Sequence, residues 1–253
     1  MRTYDNRSFT MAEWWAKAEA TQVGRGKKPL AQFVNPGDLV FDVGANRGIM
    51  TLVFRQLGAT VVAIEPLFKA APHLVREFHW KFSDDPDVIA IDKAVSDKIQ
   101  TVLISVQKNL PYLSSCDTAW MTKSAHRKMY APRAIKPTKV RTTTFDQMID
   151  LFGHPDFVKL DVEGYESTAI LGLTQPVKAM SFEFHEDWLD DAQKVVKHLN
   201  SLGKYEYNYA LDNRGVLIFD KWVKGTVLIH HLRNTLTKSG KGSWGDGYAR
   251  LIR

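Results

Sequence analysis

From Asp38 onward, short apolar runs alternate with stretches whose apolar residues recur every three or four positions. The run 39–43 is broken only by Asp42 and closed by Gly44, the pattern of a strand buried on both faces. Ile49, Leu52, Val53 and Leu57 then repeat at helical spacing, and Gly58 is placed to end that helix. The runs 61–64 and 88–91 predict a second and third buried strand, with a helix through Leu74 and Phe78 between them. Residues 101–106 read as a strand, 145–152 as a helix, 157–160 as a fourth core strand and 163–171 as a further helix. A fifth core strand is predicted at 180–184, and a helix at 188–199 ended by Gly203. Tyr205, Tyr207 and Tyr209 alternate ahead of the turn sequence Asp212-Asn213-Arg214-Gly215, and 216–219 follows, which predicts a hairpin. Upstream, 8–20 reads as a helix opened by a capping box between Thr10 and Glu13, and the glycines and lysines of 24–28 read as a loop.

Strands and helices alternating in this way predict an α/β domain: a mostly parallel sheet, helices on both faces, and a C-terminal antiparallel hairpin. The expected organisation is a helical arm at 1–37, one domain at 38–230 with an irregular insertion at 107–145, and a loose tail at 231–253.

Composition narrows the classes. The chain has 253 residues, 44% hydrophobic, and no apolar run exceeds four, so a spanning helix of about 20 apolar residues is excluded. The first fifteen residues lack the apolar core of a secretory signal, which leads to the expectation of a soluble, cytoplasmic protein. The single cysteine, Cys116, excludes an internal disulfide and a multi-cysteine zinc site. The net charge of +6 is unevenly spread: 118–145 contains seven basic residues (Lys123, Arg127, Lys128, Arg133, Lys136, Lys139 and Arg141) and no acid. A second basic stretch runs from Arg233 to the end of the chain. Such segments attract anions, and the expectation is a cationic rim facing an anionic small-molecule or glycan acceptor. Nucleic acid is the less favoured partner, because aromatics are sparse there and no reading motif occurs.

Candidate chemistry lies at the carboxyl ends of the strands, where parallel sheets bind ligands. The first strand runs into Asp42-Val43-Gly44-Ala45-Asn46-Arg47-Gly48, with the spacing D-x-G-x-N-x-G. The glycines allow a tight turn, and the helix that follows presents its N-terminal N–H groups. Neither a dinucleotide G-x-G-x-x-G nor a phosphate-cradling loop with Lys-Ser/Thr is present. Glu65 ends the second strand, where a carboxylate can accept from both ribose hydroxyls, and Asp42 could accept from a ligand ammonium. A ribose, an ammonium and no phosphate fit S-adenosylmethionine.

FDVGANRG, AIEP, IDKAVSD, TTFDQMID, VKLDVEGYESTAILG and FEFHE occur in the order seen in FkbM-type methyltransferases, and over about 38–220 the chain resembles that family. The resemblance implies a Rossmann-like class I methyltransferase fold with seven strands, S-adenosylmethionine as methyl donor, and O-methylation of sugars or other natural products. It also implies Asp92, Lys93 and Ala94 beside the adenine, in addition to Asp42, Gly44, Asn46, Gly48 and Glu65.

On the acceptor side, Asp161 closes the fourth strand, and period-two alternation puts Glu183 and His185 together on one side of the fifth. An aliphatic hydroxyl needs a base, and His185 is the first choice because unperturbed imidazole is largely neutral at pH 7. Asp161 would orient it or hold the acceptor hydroxyl. No metal is assigned. LDVEGYEST is similar to a stretch of metal-dependent sugar O-methyltransferases, but the fifth strand ends in Phe184-His185-Glu186 where those have paired aspartates. Two other functions fit the same residues: RNA ribose methylation, drawn from the basic segments, and a non-catalytic methyltransferase-like binding scaffold.

Overall fold

The structure is a computed structural model that describes residues 11–68, 72–107, 114–116, 135–211, 215–236 and 243–252. The helices are α1 (Met11–Leu30), α2 (Ile49–Gln56), α3 (Pro72–Phe82), α4 (Phe145–Phe152), α5 (Glu166–Ala169), α6 (Leu189–Leu202) and α7 (Gly225–Thr235). The strands are β1 (Leu39–Val43), β2 (Thr60–Ile64), β3 (Val88–Ile91), β4 (Ala94–Val95), β5 (Thr101–Gln107), β6 (Ile135–Thr143), β7 (Phe157–Leu160), β8 (Ala179–His185), β9 (Tyr205–Leu211) and β10 (Trp244–Leu251). Seven strands form one sheet in the order β3-β2-β1-β7-β8-β10-β9, and β4, β6 and β5 form a small second sheet. In the large sheet only β10 runs against its neighbours, β8 and β9. Among the described residues no helix is long and apolar enough to cross a membrane.

Strand alternation sorts the core into two layers. Phe41, Val43, Val158, Leu160, Met180, Phe182 and Phe184 face one side, where Phe145 and Met148 of α4, Val195 and Leu199 of α6 and Leu228 and Leu232 of α7 cover them. Val40, Val61, Ala63 and Phe157 face the other, under Val23 and Leu30 of α1, Val53 and Phe54 of α2 and Phe78 and Phe82 of α3. On that second face the central strands turn polar toward their carboxyl ends. Asp42 of β1 pairs in register with Lys159 of β7, Lys159 with Ser181 of β8, and Ser181 with Tyr248 of β10. These four residues form one buried polar row across the middle of the sheet.

Three sequence expectations change. The hairpin partner of β9 is not 216–219, which forms no strand, but β10, taken from the segment expected to be a loose tail. Gly245 and Gly247 make Trp244–Leu251 read as loop, yet a Cβ at 247 would lie 2.6 Å from the Phe182 ring. The missing side chain is what lets that ring pack over the strand. Second, 24–28 is not a loop: α1 continues to Leu30, because burying Val23 and Leu30 against α2 and the sheet outweighs the roughly 1 kcal/mol that each glycine costs in a helix. The proposed Thr10 capping box lies outside the described residues. Third, the insertion ends in β6, a nine-residue strand paired antiparallel with β5. Pro137 is tolerated because β6 has only β5 as partner at that point, β4 pairing it only at Thr142 and Thr143. Lys139 and Arg141 sit on this strand as exposed residues. Lys123, Arg127, Lys128 and Arg133 lie outside the described residues.

If β10 is a structural strand, a chain truncated after Ser243 leaves β8 and β9 without their shared partner. Its thermal melt by circular dichroism should lose the cooperative transition of the full chain; an unchanged midpoint would restore the description of 231–253 as a tail.

Candidate active site

The carboxyl ends of β1, β2, β7 and β8 open into a cleft of about 620 Å³, within the range of small-molecule and cofactor sites. At one end it is lined by Gly44, Ala45, Asn46 and Arg47 from the loop after β1, Glu65 and Leu67 after β2, and Lys93 and Ala94 after β3. At the other it is lined by Asp161 and Glu163 after β7, Glu183 and His185 of β8, and Trp244 and Asp246 of β10. Arg25, Gly26, Pro29 and Leu30 of α1 complete the wall, so the N-terminal arm is part of the cleft.

The turn after β1 is shaped by close approach. Gly44 has φ +82°, and a Cβ there would stand 1.7 Å from the Asp161 carbonyl oxygen, so only glycine lets β1 and β7 converge at the floor. Gly48, at φ +80°, is the N-cap of α2, and a Cβ would collide with the rings of Phe82 and Phe78. Its role is to seat α2, and it does not line the cleft. Asn46 also adopts a positive φ, and its N–H donates to Glu65 Oε2 at 3.0 Å, while Leu67 N–H donates to Oε1 at 2.9 Å. Two backbone donors thus hold the Glu65 carboxyl at the cleft edge. Burial nevertheless raises its pKa from 4.5 to about 7, against the opposing pull of those N–H groups.

Asp42 is not where the sequence expectation put it. It is fully buried, does not line the cleft, and accepts from Thr51 Oγ1 at 2.6 Å. In the strand register its partner is Lys159, so its counter-charge comes from inside the protein and not from a ligand ammonium. Asp92 lies beside Lys93 in the chain but does not line the cleft either. Asn46, Gly44, Glu65, Lys93 and Ala94 do.

The opposite end is a cluster of charges. Lys159 Nζ donates to Asp161 Oδ2 at 2.6 Å, with its side chain only 8% exposed. Burial alone would depress the ammonium pKa, but Asp161, Asp42 and Asp246 outweigh it and hold the group above the ordinary lysine value. His185 Nε2 comes within 3.2 Å of Glu183 Oε2, a charge contact off the hydrogen-bond axis. The described ion contact of the histidine is with Glu183, and Asp161 is held at one oxygen by Lys159. Burial, reinforced by Asp161, Glu166 and Asp246, raises the Glu183 pKa well above the carboxylate range. Asp246 stands directly opposite Glu183 across β8 and β10, and burial lifts it to about 6. Glu166 accepts from Val162 N–H at 2.8 Å and Gly164 N–H at 3.0 Å, clamping the loop that carries Glu163 in a left-handed conformation.

Glu163, Glu183 and His185, and likewise Asp161, Glu166 and Glu183, bring ligand-type atoms within 4.8 Å of one another. Both Glu166 oxygens already accept backbone N–H groups, one Asp161 oxygen is held by Lys159, and Glu183 faces the imidazole. Sequence reasoning missed Lys159 and Asp246. The signal for the first was a lone charge inside the apolar run 157–160, and for the second the one acid in a basic C-terminal stretch.

Glu65 offers a test in the protein without ligand. Because the folded state holds its proton more tightly than the unfolded chain, ionisation between pH 4.5 and about 7 costs stability, and the cost is absent below that window. In denaturant unfolding at pH 4.5 and pH 8, wild type should lose up to about 3 kcal/mol relative to Glu65→Gln. A stability difference that does not change with pH would contradict the buried carboxyl.

Comparisons with known proteins come from sequence and from fold. Among curated proteins none matches this chain in sequence. By fold the chain is similar to an FkbM methyltransferase from Methylobacillus flagellatus KT (12% identity, TM-score 0.48, covering 92% of this chain and 58% of that one). It is also similar to a precorrin-6y C5,15-methyltransferase from Geobacter metallireducens GS-15 (11%, 0.45, 99% and 93%). A third similar structure is a putative RNA methyltransferase from Pyrococcus horikoshii (10%, 0.43, 94% and 85%). The sheet has the Rossmann-like class I methyltransferase arrangement, mostly parallel with an antiparallel C-terminal pair. The methyltransferase FkbM domain matches residues 42–238, which is most of the chain, and the protein belongs to the FkbM methyltransferase family.

Proposed function

We propose that this methyltransferase uses S-adenosylmethionine to methylate a hydroxyl group of a sugar, glycan or related small molecule. The observation that carries the reading is the Glu183–His185 contact at 3.2 Å beside Asp161, at the far end of a cleft whose near end is built around Glu65. On this reading Glu65, fixed by two backbone N–H groups, accepts from the donor's ribose hydroxyls. Lys93 and Ala94 flank the adenine, and the turn at Gly44–Asn46 carries the amino-acid end toward Asp161. The donor supplies an electrophilic methyl carbon on a sulfonium, whose positive charge is lost as the methyl leaves.

The protein's own work is on the acceptor. Asp161, held at one oxygen by Lys159, accepts from a second hydroxyl next to the reacting one and so aligns the reacting oxygen with the methyl carbon, leaving that oxygen's own proton to His185. His185 removes the proton, and the acids packed around it, Glu166 and Asp246 among them, stabilise the imidazolium that forms. The C–O bond forms as the C–S bond breaks, and the sulfur keeps that electron pair. Holding both reactants in line in a shielded cleft contributes through orientation, and the base contributes typically about 10²–10⁴-fold.

The reading is tested by release of S-adenosylhomocysteine from S-adenosylmethionine with a panel of sugars and glycosides. His185→Ala should lower kcat by about 10²–10⁴-fold with little change in donor affinity. Wild-type activity should rise with pH through the histidine range, and a flat profile from pH 5 to 8 would remove histidine as the base. Glu65→Ala should weaken S-adenosylhomocysteine binding in calorimetry by roughly 10–100-fold with the fold intact, the size of a lost hydrogen bond to a charged group. Unchanged affinity would contradict the ribose role.

A further inference from the structure

The buried cation in the sheet needs an explanation that the donor site does not supply. Lys159 sits mid-sheet in β7 with two apolar neighbours in sequence, Val158 and Leu160, both fully buried. An ammonium in such a place is retained only when paired, since an isolated buried charge is strongly unfavourable. Its pairing is asymmetric. Asp42 stands beside it in the register of β1 and is immobilised from behind by Thr51 of α2 at 2.6 Å. Asp161, two residues on along its own strand, is gripped at 2.6 Å, yet the Asp161 side chain is 29% exposed and lines the cleft. One carboxylate is therefore locked inside the protein and the other lines the cleft; the ammonium is hydrogen-bonded to the second and interacts with the first through its charge. Asp246 of β10 and Glu183 of β8 also interact with the same group through their charge. None of the other acids has a hydrogen bond to Lys159 among the described contacts, so the lysine's directed contact is with Asp161 alone.

We propose that Lys159 is the positioning residue of the transfer site: with the buried Asp42 charge beside it, its ammonium fixes the Asp161 carboxylate in the orientation that aligns the acceptor hydroxyl with the methyl group. The first acid of the D-x-G-x-N-x-G turn then serves the acceptor end of the cleft through the lysine, and donor recognition is left to Glu65 and the backbone. This inference rests on the reading of Asp161 as an acceptor-side residue.

The test compares Lys159→Met, Lys159→Arg, Asp161→Asn and the doubly neutral Asp42→Asn/Lys159→Met, on the sugar or glycoside that wild type methylates best. The double variant removes the cation and the Asp42 charge together, so it avoids the unpaired buried carboxylate that Lys159→Met leaves. It should fold and bind S-adenosylhomocysteine with wild-type affinity in calorimetry. Its kcat should nevertheless fall about 100-fold, with KM for S-adenosylmethionine changed less than about threefold, as expected for a loosened reacting geometry. Lys159→Arg, which keeps the charge, should recover most of the loss. Wild-type kcat in the double variant, or its failure to fold, would assign Lys159 to the fold alone and overturn the proposal. A fully active Asp161→Asn, or a wild type inactive on every acceptor, would instead overturn the functional reading beneath it.

Discussion

A single buried ammonium organises the functional half of this molecule. Lys159 lies in β7 between the buried Asp42 of β1, which does not line the cleft, and Asp161 just after β7, which does. Taking three charges out of water is costly, and their attraction offsets that cost only where geometry is good and the remaining polar atoms are satisfied. Thr51 meets that condition for one Asp42 oxygen, Oδ2, which ties the first turn of α2 to the buried charges of the sheet, while Oδ1 is buried without a hydrogen bond. The turn after β1 and the acids at the ends of β7 and β8 are thus parts of one electrostatic unit, although they come from positions more than a hundred residues apart.

The same logic explains why one face of the sheet is apolar to its ends while the other is not. Phe182 and Phe184 continue the core beneath α6 and α7, whereas the alternate positions of β8 carry Ser181, Glu183 and His185. Raised carboxyl pKa values at Glu65, Glu166, Glu183 and Asp246 all have burial as their largest cause, and the acids of the far end add to one another. A site that holds protons this readily near neutral pH is suited to taking one from an acceptor. Its acidic floor also differs from the cationic rim expected from the basic segment. Of that segment, Lys139 and Arg141 lie on β6 of the small sheet, and neither lines the cleft.

The wall contributed by α1 changes the meaning of the N-terminal arm. Arg25, Gly26, Pro29 and Leu30 close the cleft on the side away from the strand ends, and Phe33 stacks on Tyr248 of β10 with ring centroids 5.8 Å apart. The arm and the C-terminal strand therefore meet over the site, and both lie partly or wholly outside the stretch that resembles the family.

What could be read from the chain alone was whatever is encoded locally. The runs at β1, β2, β7 and β8 are apolar because both faces are covered, whereas β3, expected to be buried, is the sheet edge and leaves Ile89 and Ala90 exposed; Gly44 and Glu65 follow their strands directly, so position along the chain implied position at the strand ends. The alternation of Glu183 and His185 with Phe182 and Phe184 was legible for the same reason. Other features are set by partners distant in sequence. Trp244–Leu251 becomes a strand because β8 and β9 need a shared neighbour, and no local pattern marks it. Residues 24–28 become helix because Val23 and Leu30 find α2 and the sheet. Asp42 turns inward because a lysine 117 positions later arrives beside it in register. Local sequence specifies which residues favour a strand, a turn or a helix; which charge meets which is decided only when the strands are laid side by side.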